Sequence, residues 1–173
     1  MPGDPVADRV TRDLAARAAG VLLSGRRRVA VAESCTGGGV CEALTSVPGS
    51  SAYFLGGVVA YGNESKTREL GVPPDLIESR GAVSREVAEA MADGAARRFG
   101  ADIGIGTTGI AGPGGGSPDK PVGTVYVAIA SGEVRLSHHL SLPGDRDAVR
   151  GETVRRALEL LVSFLSEEEG RGR

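Results

Sequence analysis

Arg28-Val29-Ala30-Val31-Ala32-Glu33-Ser34-Cys35-Thr36-Gly37-Gly38-Gly39 runs from a short apolar segment straight into small hydroxyls, a thiol and three glycines. A strand that ends where reactive side chains begin is the layout of an α/β protein, in which ligands bind outside the carboxyl ends of the strands. The helix start after such a turn offers backbone N–H groups to an anion or oxyanion, and glycines let a substrate approach that backbone. Donors at Cys35, Thr36, Gly37 and Gly38 are therefore candidates for holding developing negative charge. The same residues also suit a plain strand-to-helix turn capped by Ser34 or Thr36.

Outward from this turn the chain alternates helices and strands. Val10, Leu14, Ala18, Val21 and Leu22 recur at helical spacing, which predicts an amphipathic helix over Val6–Ser24 that stops at Gly25. Val29–Ala32 reads as a buried strand, Gly38–Ser46 as a helix, and Ala52–Tyr61 as a second strand bent at Gly56-Gly57. Asn63 is expected to cap a helix through Leu70, ending at Gly71 ahead of Pro73-Pro74, and Ser84 to cap another to about Phe99. Asp102–Thr108 is the next strand and leads into the turn-rich Gly109–Pro121 segment. Val122–Ala130 and Val134–Leu142 alternate as a hairpin around Ser131-Gly132-Glu133. A last helix opens at Asp145 or Asp147 and runs to about Leu165, and the polar tail 167–173 is expected to fray. This order predicts a three-layer α/β/α sandwich with a mixed, partly antiparallel sheet, formed as one domain over residues 1–173.

Composition narrows the partners. A net charge of −2 with 24% charged residues gives no reason to expect nucleic acid, and the only basic cluster, Arg26-Arg27-Arg28, has no interleaved aromatics to stack on bases. That cluster reads as a solvated turn. Aromatics make up 3% and tryptophan is absent, so Ala, Val, Leu and Ile must build the core. Cys35 and Cys41 lie six apart, which matches neither zinc nor redox spacing, and both are expected to be reduced. No apolar segment reaches the ~18 residues of a membrane span, and Met1–Pro5 lacks a signal peptide's hydrophobic region, so the cytoplasm is expected.

Several side chains suit acyl chemistry. Tyr61 and Lys66 close the second strand and enter the next helix, and with Ser34 they make a Ser/Lys/Tyr set. A serine needs a base to take its proton, and a lysine serves when burial lowers its pKa; the tyrosine hydroxyl can relay that proton or hold the lysine. Backbone donors at Cys35–Gly38 or at Thr108 and Gly109 would stabilise the oxyanion. Ser51, just before the second strand, competes with Ser34 as nucleophile, although its turn also reads as ordinary. Lys66 as a surface helix residue and Tyr61 as a core-edge aromatic remain open at this point. His138 and His139 would face opposite sides of a strand, which disfavours a Ser-His-Asp enzyme, and no metal site is expected. Arg146 and Arg150, four apart at the start of the last helix, are candidates for a substrate phosphate, which would also feel the helix's positive end; the alternative is that they are solvated.

Ala32–Gly38, Tyr61-Gly62-Asn63-Glu64-Ser65-Lys66, Gly81-Ala82-Val83-Ser84 and Thr107–Gly115, in this order, resemble the motifs of the CinA C-terminal domain family, across about Val6–Leu165. The resemblance implies a nicotinamide-nucleotide amidohydrolase activity of the PncC type, converting nicotinamide mononucleotide and water to nicotinic acid mononucleotide and ammonia in pyridine nucleotide recycling, without a cofactor. It matches Ser34, Tyr61 and Lys66 to the family's serine, tyrosine and lysine, and Ser51 and Thr108 to hydroxyls of the same pocket. The mechanism expected is attack by Ser34, deprotonated by Lys66 with Tyr61 assisting, followed by hydrolysis of an acyl-enzyme. Ser51 ranks second as nucleophile and Cys35 third, since no histidine sits in these motifs to make a thiolate. Longer members carry a further N-terminal domain, so the stand-alone form is expected, as a homodimer without nucleic acid or membrane partners. Two rivals stand beside it: a non-catalytic nucleotide-binding module, and a deamidase of another small amide such as glutamine or free nicotinamide, for which a phosphate contact at Arg146 or Arg150 would be unnecessary.

Overall fold

The computed structural model describes residues 5–171; the first four residues and the last two lie outside it. The elements in chain order are α1 (Pro5–Ser24), β1 (Val29–Glu33), α2 (Gly39–Thr45), a 3-10 turn at Ser50–Ala52, β2 (Phe54–Val59), α3 (Asn63–Leu70), α4 (Pro74–Arg80), α5 (Arg85–Phe99), β3 (Ile103–Gly109), β4 (Thr124–Ser131), β5 (Val134–Ser141) and α6 (Arg146–Arg171). One sheet has the order β2-β1-β3-β4-β5, with β2, β1 and β3 parallel and β4 and β5 antiparallel additions. The mixed α/β sandwich expected from the sequence is the fold observed.

Side-chain volume divides the two faces of the sheet. Val29 and Val31, Ile103 and Ile105, and Val125, Val127 and Ile129 point to one face and pack with α1, α2 and α6. The alternate positions are small: Ala30, Ala32, Gly104, Gly106, Ala128 and Ala130. Here α5 lies almost on the sheet backbone, because a methyl at Gly104 would overlap the Ala92 carbonyl and one at Gly106 the Ala88 carbonyl. The period of two along each strand thus sets a thick layer on one side and a thin one on the other.

Several boundaries depart from expectation for local reasons. Ser50–Ala52 wind into a 3-10 turn, so β2 begins at Phe54, and a bulge between Val29 and Ala30 slips the pairing from Phe54 to Gly56. Asn63 is the first residue of α3, which no side chain caps, whereas Ser84 caps α5 by accepting from the Val87 N–H at 3.3 Å. Helix α4 has no counterpart in the apolar spacing, yet Pro74 at its start and Gly81 at its stop frame it. Arg26, and not Gly25, takes the left-handed conformation after α1, at φ 52°. Residues 167–171, expected as a frayed tail, continue α6, and Glu168 there pairs with Arg27 at 2.8 Å; 172–173 lie outside the described residues. No helix among the described residues is long and apolar enough to cross a membrane.

Candidate active site

Strand order reverses at β1, which has β2 on one side and β3 on the other, and in such sheets ligands bind beyond the carboxyl ends of the strands at that point. Alternation along β1 turns Glu33 toward the α2 layer and carries Ser34 to the α3 layer. Helix α3 buries Lys66 and Leu70, four apart, so a lysine occupies a core-facing position. Lys66 is 1% exposed, and its Nζ lies 3.0 Å from Ser34 Oγ, 3.0 Å from the Ala60 carbonyl and 3.1 Å from the Tyr61 carbonyl. No carboxylate among the described residues pairs with it. Burial therefore lowers its pKa from the ordinary 10.5, opposed in part by the Cys35 sulfur. A neutral amine has two N–H donors and one lone pair, which match two carbonyls and the proton of the Ser34 hydroxyl. Ser34 itself is 8% exposed.

The turn after Ser34 is gripped from two sides. Buried Glu33 accepts from the N–H groups of Gly38 (2.9 Å) and Val40 (3.1 Å) through Oε2 and of Cys41 (2.8 Å) through Oε1. The start of α2 is thus filled by the chain's own carboxylate, so Gly38 has no N–H to offer a substrate. Gly37 donates to the Ser34 carbonyl (3.2 Å) and Gly39 to that of Thr36 (3.3 Å). Among the described residues, the Thr36 N–H of this turn has no protein acceptor, and the Cys35 N–H meets only its own thiol. From the other side Arg150 donates from Nε to the Cys35 carbonyl at 3.2 Å and from Nη2 to that of Thr36 at 3.1 Å. The Thr36 and Thr107 hydroxyls meet at 2.8 Å and join the turn to β3.

Other expected residues fall in different places. Tyr61 hydrogen-bonds Lys66 through its carbonyl; the residue is 58% exposed, and its hydroxyl accepts from Arg146 Nη2 at 2.9 Å. Arg146 Nη1 also donates to the Gly112 carbonyl at 2.9 Å, bridging the β2 end to the β3–β4 loop. The Thr108 hydroxyl donates to the Ala82 carbonyl at 2.8 Å, and Gly109 leaves room for Cys35 Sγ, which a methyl there would approach to 3.1 Å. Ser51 lies before β2, and β1 and β2 are parallel with Val29 beside Phe54 and Glu33 beside Val59. Within one chain it is therefore at the opposite edge of the sheet from Ser34, about 16 Å of strand away, and does not join the pocket. Burial pushes the Cys35 thiol up to about 11, against a thiolate nucleophile. The positive end of α6 is met by Asp145, whose Oδ1 accepts from the Ala148 N–H at 3.0 Å. No group of three or more His, Cys, Asp or Glu among the described residues is placed to hold a metal ion.

A groove of about 1220 Å³ between α1, α2 and α6 is lined by Thr36 and Arg150 but by neither Ser34 nor Lys66, so it lies behind the turn. The sequence signal for the role of Glu33 is its place one residue before Ser34 in a strand, which sends it to the opposite face.

The profile of the CinA C-terminal domain matches residues 11–165. A CinA-like protein of Gemmatimonas aurantiaca is 56% identical over 143 residues, 82% of this chain and 33% of that protein. A protein of Pseudomonas putida named nicotinamide-nucleotide amidohydrolase PncC is 50% identical over 154 residues, 89% of this chain and 96% of that one. The chain spans about a third of the length of the first curated relatives it matches. Among solved structures, the competence/damage inducible protein CihA of Agrobacterium tumefaciens superposes with a TM-score of 0.87 at 42% identity, covering 91% of this chain and 96% of that one.

Proposed function

The chain belongs to the CinA C-terminal domain family, and on that premise we propose that it is an amidohydrolase that releases the carboxamide nitrogen of nicotinamide mononucleotide as ammonia, the activity in the name of its P. putida relative. The observation that carries this reading is buried Lys66 at 3.0 Å from Ser34, with two carbonyls to accept its N–H groups. A lysine desolvated in this way is a base for a serine.

In the proposed reaction neutral Lys66 takes the Ser34 proton as Oγ attacks the carboxamide carbon. The oxyanion is met by the N–H groups of Cys35 and Thr36, neither of which donates to a backbone carbonyl. The Lys66 ammonium returns the proton to the departing nitrogen, the C–N bond breaks, and ammonia leaves an ester on Ser34. Lys66 then activates a water molecule, which hydrolyses the ester to nicotinic acid mononucleotide and restores the hydroxyl. Arg146, exposed and held between the Tyr61 hydroxyl and the Gly112 carbonyl, is the cation proposed for the substrate phosphate.

Ammonia release from the mononucleotide, its dephosphorylated riboside, free nicotinamide and glutamine tests this. The expected result is turnover fastest on the mononucleotide, with hydroxylamine trapping a Ser34 acyl group. Binding of the mononucleotide without ammonia release would favour the nucleotide-binding module, and equal or faster turnover of glutamine would favour a different amide.

A further inference from the structure

Arg146 and Arg150 of α6 are four residues apart, yet their guanidinium groups do different things. Arg146 bonds a tyrosine hydroxyl and a loop carbonyl at the exposed mouth of the site. Arg150 spends its Nε and Nη2 edge, the edge that grips an anion in bidentate fashion, on the two carbonyls of the turn that follows Ser34. We propose that Arg150 is a positioning residue that aims and polarises the Thr36 N–H toward the oxyanion, and is not a phosphate ligand. The inference rests on the amidohydrolase reading above.

A trans peptide is planar, with its C=O and the next N–H pointing in opposite directions. When Arg150 holds the Cys35 carbonyl, the Thr36 N–H on the same peptide unit is directed away from the guanidinium. A cation on the carbonyl also draws electron density through the amide and strengthens the N–H as a donor. The second contact, to the Thr36 carbonyl, fixes the next peptide, whose Gly37 N–H closes on the Ser34 carbonyl at 3.2 Å. Gly37 makes space for this grip: its φ is +63°, and a methyl there would stand 3.2 Å from Arg150 Nη2. The base of Arg150 is firm as well, because neighbouring Val149 and Val154 are buried, and a methyl at Gly39 would meet Val154 at 2.8 Å. The turn is therefore framed by Glu33 on its N–H groups and Arg150 on its carbonyls, and the two donors left are the pair beside the nucleophile.

Steady-state kinetics of Arg150→Met and Arg150→Lys, beside Arg146→Met, test the assignment, with thermal melts of each variant. Losing an aimed oxyanion donor costs about a hundredfold in kcat, so Arg150→Met is expected to lose about that much kcat with little change in KM, equally on the mononucleotide and its riboside, and Arg150→Lys to recover part of it. Arg146→Met is expected to raise KM for the mononucleotide alone. A second readout is independent of the amide: Ser34 phosphonylation by a fluorophosphonate also forms charge on oxygen, and Arg150→Met should slow it by a similar factor. A rise in KM confined to the phosphorylated substrate, or phosphonylation unchanged in a folded Arg150→Met variant, overturns the proposal. A wild type inert toward the mononucleotide but phosphonylated at Ser34 in an Arg150-dependent manner would sink the substrate reading and support the role of Arg150.

Discussion

The two edges of the parallel strands are built on opposite terms. At the carboxyl edge, Glu33, Lys66 and Thr107 are almost wholly buried, and each is tied to a backbone or side-chain partner. At the amino edge the charged groups stay in or near solvent: Arg28 reaches Asp102 at 3.7 Å, Arg27 reaches Glu168 at 2.8 Å, and Ser51 is exposed on a short turn. Surface pairs of that kind contribute about 0–1 kcal/mol, whereas an orphaned buried group costs about 1–3 kcal/mol. The chain keeps its unfavourable burials at one edge, where a serine and a lysine gain from the loss of water.

This contrast can be broken at either edge. The largest effect is expected from Ser34→Ala, which should cut ammonia release by about 10⁴-fold or more, as removal of a nucleophile does. Lys66→Met should follow at about 10³-fold. The base acts in its neutral form, which grows with pH, so kcat/KM should climb with pH and level off above an inflection lower than the ordinary lysine value of 10.5; a flat profile would remove Lys66 from the proton path. Glu33→Gln places an amide against three N–H donors and should lower stability by about 1–3 kcal/mol, read by urea titration. At the other edge, Arg26→Gly relieves a left-handed backbone and should raise stability by about 1 kcal/mol, seen as a few degrees in Tm, without changing kcat. Ser51→Ala is expected to leave the activity of a single chain within about twofold; a loss approaching that of Ser34→Ala would erase the distinction between the edges.

What the sequence discloses follows the same division. The strand before Ser34, the glycines after it and the Ser84 cap are local events, and each is readable from a few adjacent residues. The burial of Lys66 was not, because the helix Asn63–Leu70 is short and polar and its inward face is defined only by Leu70 and by what packs on it. The location of Ser51 within the chain was not legible either, because adjacency to a strand does not say which end of the sheet a turn occupies; the parallel register of β1 and β2 gives that. Arg150 was found as a cation near the site, but its two carbonyl partners lie more than a hundred residues away in the chain. Helix α4 was missed because seven residues present too little apolar period, although Pro74 and Gly81 were visible.

The alanine and glycine face beneath α5 has a consequence for how far this chain can be altered. Backbone there rests nearly on backbone, so each methyl added at Gly104 or Gly106 must lift the whole helix, whereas the valines and isoleucines opposite can be exchanged for one another with local repacking. Anyone redesigning the protein has one pliable side to work from and one hard stop. That stop runs through Gly106 to Thr107 and Thr108, beside the turn that carries the nucleophile, so the least adjustable layer is also the anvil on which the site is set.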